Sequence, residues 1–264
     1  MSESILDFTH YTTEMRKSLI DKIFFMDKLD EQVDAVLDYG CADGALADFL
    51  ASIFPEIQMV GYDMAEEMIE AAKAHCSAPN AAFYSRLEDA LAYLRQRGIT
   101  PDRTCVNLSS LIHEVYSYGT PESIEAFWRD INGCGFRYIT IRDMCCDQSA
   151  HRPALKEDVL KVRRACPARM IEQFEACHGS LSDNYNLIHF LMKYRYEANW
   201  SRECAENYLP LTMEQFIGKL SEDYELVYFD HYVLPFLARI VKQDMDITIK
   251  DYTHVKLILR RKGV

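Results

Sequence analysis

Residues 35–50, AVLDYGCADGALADFL, constrain the fold more than any other stretch. An apolar run, Ala35-Val36-Leu37, ends in Asp38. A small-residue turn follows: Gly40, Cys41, Ala42, Asp43, Gly44. The amphipathic run Ala45–Leu50 comes next. Buried strand, glycine turn and helix, in that order, open a nucleotide-binding α/β unit. Gly40 lets the backbone turn off the strand with no Cβ in the way. Gly44 and Ala45 let the helix pack close to the strand and to a ligand.

The charge on this turn bears on the ligand. A dinucleotide places its pyrophosphate on the helix N-terminus, where free N–H groups and the helix dipole favour an anion. Asp38 and Asp43 stand there instead and would repel it. They suit a cation, and the methionine end of S-adenosylmethionine carries an ammonium and a sulfonium but no phosphate. The stretch resembles the glycine motif of class I S-adenosylmethionine-dependent methyltransferases, acidic–x–Gly–x–Gly–x–Gly. Asp38, Gly40 and Gly44 match it, Ala42 replaces the middle glycine, and Cys41 lies between. The resemblance implies S-adenosyl-L-methionine as cofactor. An NAD-dependent oxidoreductase is the rival enzyme class.

Strands and helices then alternate. The second strand, about 57–62, stops at Asp63, whose two oxygens suit the two ribose hydroxyls. Met64 follows as a candidate for the adenine face. Helix 66–74 leads to strand 81–84 and a helix to about 97. The resemblance implies adenine contacts after this strand, and Leu87 and Glu88 fill those positions best. The fourth strand, about 104–108, runs into Asn107-Leu108-Ser109, which the resemblance places at the cofactor. His113 is the general-base candidate, since imidazole titrates near neutrality. Glu114 is adjacent and on a helix points about 100° away, so the two cannot pair with each other. Helix 121–132 has Thr120 as N-cap and Pro121 at the first position. The fifth strand, about 136–141, ends in Arg142 and Asp143, candidates for acceptor binding because strand C-termini face the ligand crevice.

Before this core, residues 4–30 read as a helix with Asp21, Lys22 and Lys28 on its polar side. The resemblance implies that such a helix closes over the cofactor, with Tyr11 reaching the methionine moiety. After the core, residues 149–222 break the alternation into helices at about 153–165, 168–177, 183–197 and 211–222. Their first part is basic (Arg152, Lys156, Lys161, Arg163, Arg164, Arg169) and their later part aromatic. Strands 224–231 and 253–260 close the sheet, and the link between them carries Pro235-Phe236-Leu237.

The expected fold is α/β: a Rossmann-like, doubly wound seven-stranded sheet with its last strand antiparallel. The expected organisation is an N-terminal helical cap (1–34), a cofactor-binding core (35–148), a helical lid on the acceptor side (149–222) and closing strands (223–264). The expected function is methyl transfer to a small-molecule acceptor. RNA or nucleotide methylation through the basic and aromatic insertion, and a non-catalytic S-adenosylmethionine-binding module, are the alternatives. A net charge of −12 disfavours non-specific attraction to nucleic acid. No apolar run reaches the ~18–20 residues that cross a bilayer, and the N-terminus has no apolar signal core. Both point to a cytoplasmic protein with no membrane partner. The nine cysteines lack paired C-x-x-C spacing, so reduced thiols and no metal are expected. The acceptor atom and the oligomeric state are left open.

Overall fold

A computed structural model describes residues 19–263. Tyr11 and the first part of the expected N-terminal helix lie outside the described residues. Seven strands, β1 (Ala35–Tyr39), β2 (Gln58–Tyr62), β3 (Ala81–Tyr84), β4 (Thr104–Ser109), β5 (Tyr138–Met144), β6 (Tyr224–Tyr232) and β7 (His254–Arg261), form one sheet. Its order is β3-β2-β1-β4-β5-β7-β6. The first five strands pair in parallel, and β7 runs antiparallel to both β5 and β6. This is the expected Rossmann-like sheet. Every residue of β4 and β5 is buried, because helices cover both faces of a parallel sheet.

Side-chain alternation along each strand separates two cores. On one face Leu37, Val60, Val106, Leu108 and Ile139 pack on α4 (Leu87–Gln96) and α6 (Pro121–Gly133). On the other, Val36, Met59, Cys105 and Tyr138 pack on α2 (Ala45–Ile53) and α3 (Glu66–His75). Gly44 joins β1 to α2 at φ 74°, and a Cβ there would lie 2.6 Å from Phe83 and 2.8 Å from Ala72. Gly44→Ala is therefore expected to destabilise the fold by about 2–5 kcal/mol, the sum of left-handed backbone and overpacking. Chemical denaturation measures it.

Several elements depart from the expected boundaries. Within the described part of the N-terminal segment, only α1 (Leu19–Lys22) and a 3₁₀ turn (Met26–Lys28) are helical. The segment is held by tertiary contacts instead. Phe25 is fully buried, and Asp30 accepts hydrogen bonds from Arg137 Nε at 2.9 Å, Arg137 Nη2 at 2.8 Å and the Tyr138 hydroxyl at 3.0 Å. The fifth strand begins at Tyr138 and continues to Met144, because β7 pairs with it as far as Met144 opposite His254.

The expected helix at 183–197 ends early: α9 (Asn184–Leu191) gives way to a turn at 192–195. Residues 235–245, expected as a link, form α12 (Pro235–Met245), with Pro235 in its first turn. Val241 and Met245 of α12 share a third core with Phe174, Phe190 and Trp200. Leu211, Met213 and Phe216, from the end of the expected lid, pack into the first core instead.

Candidate functional site

The C-terminal ends of β1 and β4 meet the N-terminal segment in a narrow crevice lined by Lys22, Asp38, Gly40, Cys41, Asp43 and Ser109. Asp38 is positioned by strand register: it lies opposite Asn107, whose Nδ2 donates to Asp38 Oδ1 at 2.8 Å. Burial pushes the Asp38 carboxyl up to about 6, against the Asn107 hydrogen bond and the Lys22 charge. Lys22 was expected on the solvated face and is buried, with its amine pushed down to about 8 by burial and by Arg142. Asp43 Oδ1 accepts from the Ala45 N–H at 3.3 Å, at the start of α2. A carboxylate therefore holds the position a pyrophosphate would need. Ala42, which replaces a glycine, sits at φ 47° in the left-handed region. Ser109 Oγ is buried and, among the described residues, makes no hydrogen bond.

Asp63 lies across the turn. Its Oδ2 accepts from the Ala42 N–H at 2.9 Å and its Oδ1 from the Ala65 N–H at 3.0 Å. Each oxygen keeps a second lone pair. Met64 is 83% exposed. Leu87 is half-buried and Glu88 exposed, 3.7 Å from Arg86. Gly44 approaches Phe83 and Ala72 rather than the crevice. The Leu108 side chain is packed in the core, so only its backbone is at the site. Strand alternation turns it away from Asn107 and Ser109.

A cavity of about 880 Å³ opens beside this crevice. Its floor comes from the ends of β4, β5 and β7, and its cover from residues 191–208 and α12. His113, on α5 (Ile112–Tyr118), lines it. His113 Nδ1 lies 2.8 Å from Asp143 Oδ1, so the imidazole partner is the adjacent strand end and not the neighbouring Glu114. Burial by itself would push His113 down, but the Asp143 charge and hydrogen bond outweigh it and hold it above its ordinary value. Asp143, the other candidate at the end of β5, faces His113 and is not among the residues that line the cavity. It is 1% exposed, and its oxygens also accept from the Ile112 N–H at 2.7 Å and the Met144 N–H at 2.8 Å. Its burial opposes ionisation, and the His113 charge and hydrogen bonds hold it below the usual carboxylate range.

Glu114 lines the cavity 3.3 Å from Arg202, with its carboxyl pushed up by burial. Arg142 also lines it. Its Nε donates to Asp21 at 2.8 Å and its Nη1 to Ser110 Oγ at 2.9 Å. Ser110 is another non-glycine residue in the left-handed region, at φ 56°. Asp21, Lys22, Lys256 and Arg202 were missed as site residues. Their only sequence signal was charge, and tertiary packing of the N-terminal segment, the 191–208 region and β7 around the crevice and cavity brings them to the site.

Comparison with solved structures gives the same fold. A methyltransferase from Anabaena variabilis, described as S-adenosylmethionine-dependent, superposes with a TM-score of 0.51 at 12% identity, covering 99% of this chain and 98% of that one. Magnesium protoporphyrin IX methyltransferase from Synechocystis also reaches 0.51 at 12% identity, covering 99% and 90%. The sheet order and the acidic turn at its strand ends thus define a class I methyltransferase fold. Residues 36–118 match the family model described as a methyltransferase domain. That match, over less than half of the chain, and the shared fold support a class I S-adenosylmethionine-dependent methyltransferase. No curated protein matches the sequence. Among the described residues, no helix is long and apolar enough to cross a membrane, and no cluster of His, Cys, Asp and Glu suits a metal ion.

Proposed function

We propose that this protein methylates a small molecule held in the 880 Å³ cavity, with His113 as the base. The carrying observation is the His113–Asp143 pair. Asp143 holds Nδ1, so the hydrogen falls on that nitrogen in the neutral ring and Nε2 is left to accept. Nε2 has no hydrogen-bond partner among the described residues, and the ring lines the cavity. A binding module has no need of such an oriented base.

The crevice residues suit the cofactor. Buried Ser109 Oγ lacks a partner, and the Asp38 carboxylate, desolvated and pushed up to about 6, gains from an ammonium beside it. Asp38, Asn107 and Ser109 would hold the amino-acid end, the Gly40–Ala42 backbone the middle, Asp63 the ribose, and Met64, Leu87 and Glu88 the adenine side. When bound, S-adenosylmethionine supplies a methyl already activated by sulfonium. The protein then aligns the acceptor, excludes water and, for a hydroxyl or thiol acceptor, removes a proton at His113 Nε2. Alignment of this kind supplies up to ~7–11 kcal/mol of rate enhancement, and a positioned base about 10²–10⁴-fold.

The cavity volume falls in the ~300–1,000 Å³ range of small-molecule sites. An RNA acceptor is less well supported. Of the basic cluster, Arg152 pairs with Asp251, Lys161 with Glu157, and Arg163 with Glu175. The aromatics Phe190, Trp200 and Tyr185 are buried in cores rather than displayed for stacking.

Release of S-adenosylhomocysteine across a panel of phenols, carboxylic acids and thiols tests the reading. Turnover on one of these classes is expected. Turnover on RNA alone, with a steep salt dependence, would replace the small molecule as acceptor.

Asp38 gives a separable expectation. Its carboxyl holds a proton up to about 6 in the fold and only to about 3.8 when unfolded. Its contribution to stability is therefore present at low pH and lost as pH rises through 6. Asp38→Asn removes a buried charge while keeping the acceptor oxygen for Asn107. At pH 7 it is expected to stabilise the fold by about 1–3 kcal/mol while weakening S-adenosylhomocysteine binding. Denaturation and calorimetry read the two effects, and a variant that binds normally would remove Asp38 from the cofactor site.

A further inference from the structure

We infer that Arg142, Lys256 and Tyr232 form an anion subsite for a carboxylate of the acceptor, and that Asp21 fills this subsite in the free protein. The inference rests on the cavity being the acceptor site. Asp21 Oδ2 accepts from Arg142 Nε at 2.8 Å and from the Tyr232 hydroxyl at 2.7 Å. Its Oδ1 lies 2.5 Å from Lys256 Nζ. The donors come from β5, β6 and β7, and converge because β7 lies between the other two strands. The Arg142 and Lys256 side chains are 5% and 13% exposed. Two desolvated cations thus face one carboxylate on the cavity wall. Removing that carboxylate leaves both charges buried and unpaired, a strongly unfavourable state. Whatever displaces Asp21 must bring an anion, and the occupant now present shows that a carboxylate satisfies all three donors.

Displacement of Asp21 follows from its neighbour. Lys22 fills the crevice beside Asp38, where the space remaining, about 20 Å³, is on the order of one water. The cofactor's ammonium belongs on Asp38, so α1 moves when the cofactor binds, and Asp21 moves with Lys22. The cofactor therefore binds first and exposes the anion subsite to the acceptor. The rest of the cavity is partly apolar, with Leu191, Met192, Leu237 and Ile240 on its walls. The acceptor class is an amphipathic organic acid, anchored by its carboxylate at Arg142.

Calorimetry on the full chain tests this with hydroxyphenylacetate and octanoate, each beside its primary amide, in the presence and absence of S-adenosylhomocysteine. With S-adenosylhomocysteine bound, the acids are expected to bind about tenfold or more tightly than the amides, a charge-assisted preference. Arg142→Gln and Lys256→Met should abolish the preference, and Asp21→Ala should show it without S-adenosylhomocysteine. Lys256→Met keeps the test open if Arg142→Gln does not fold. Acids that bind no better than amides to wild type, absence of binding included, overturn the inference, as does a preference that survives Lys256→Met. S-adenosylhomocysteine affinity is read in the same titrations. Its loss in wild type would strike at the methyltransferase site itself, whereas its presence without acid preference removes only the anion subsite.

Discussion

Asp63→Ala is expected to weaken S-adenosylhomocysteine binding by roughly two to four orders of magnitude. In the proposed site its two oxygens each accept a ribose hydroxyl. Hydrogen bonds to a charged group contribute about 1.5–3 kcal/mol each, and a tenfold change in affinity is about 1.4 kcal/mol. The geometry is prepared in advance. The Ala42 and Ala65 N–H groups, on either side, hold the carboxylate at the end of β2. Those same bonds predict a side effect, because Ala42 sits in the left-handed region at φ 47° and loses one of its restraints. A stability loss of about 1 kcal/mol is expected from that. Calorimetry gives the affinity and thermal unfolding the stability. Unchanged affinity would take Asp63 out of the ribose site, whatever happens to the melting temperature.

The other large effect belongs to the His113–Asp143 pair. His113→Ala is expected to lower turnover of a hydroxyl or thiol acceptor by about 10²–10⁴-fold, with S-adenosylhomocysteine affinity nearly unchanged. The pH dependence follows from the directions of the shifts. His113 accepts a proton only when neutral, and its folded value lies above the ordinary 6.5. The rate should therefore rise with pH along a limb centred above 6.5. Asp143→Asn removes the charge that raises His113, so the limb should move to lower pH while the plateau falls.

Stability carries the opposite sign. The contribution of a raised imidazole is complete below its unfolded value and lost as pH rises through its folded one. The contribution of the lowered Asp143 is complete above the ordinary carboxylate value, 3.8, and lost as pH falls through its depressed one. The charged pair thus stabilises the fold most between those limits, while catalysis is favoured above them. A pH–rate profile with no limb that responds to Asp143→Asn would remove His113 as the base.

The sheet and the glycine turn were legible in the sequence because their signals are local. Apolar strands, Gly40 and Gly44 at positive φ, and Asp38 and Asp63 at strand ends all sit within or beside one βαβ unit. Side-chain period and turn chemistry act over a few residues, and register then sets Asp38 against Asn107. The cavity beside that turn was not legible in that way. Asp143 lies 30 residues from His113, and Arg142 lies 121 residues from Asp21. Adjacency in sequence pointed to His113 and Glu114, and helix geometry forbids that pair.

By itself, then, the sequence determined the layered α/β sheet, the acidic glycine turn and the carboxylate that ends β2, since each follows from short-range backbone preference and charge. The tertiary structure alone decided which groups are desolvated together. It buried Lys22, expected on a solvated face, against Asp38. It placed Asp143 behind His113, and it gathered Arg142, Lys256 and Tyr232 around Asp21. Those pairings depend on strand order and on exclusion of water, and neither is encoded in any single stretch of the chain.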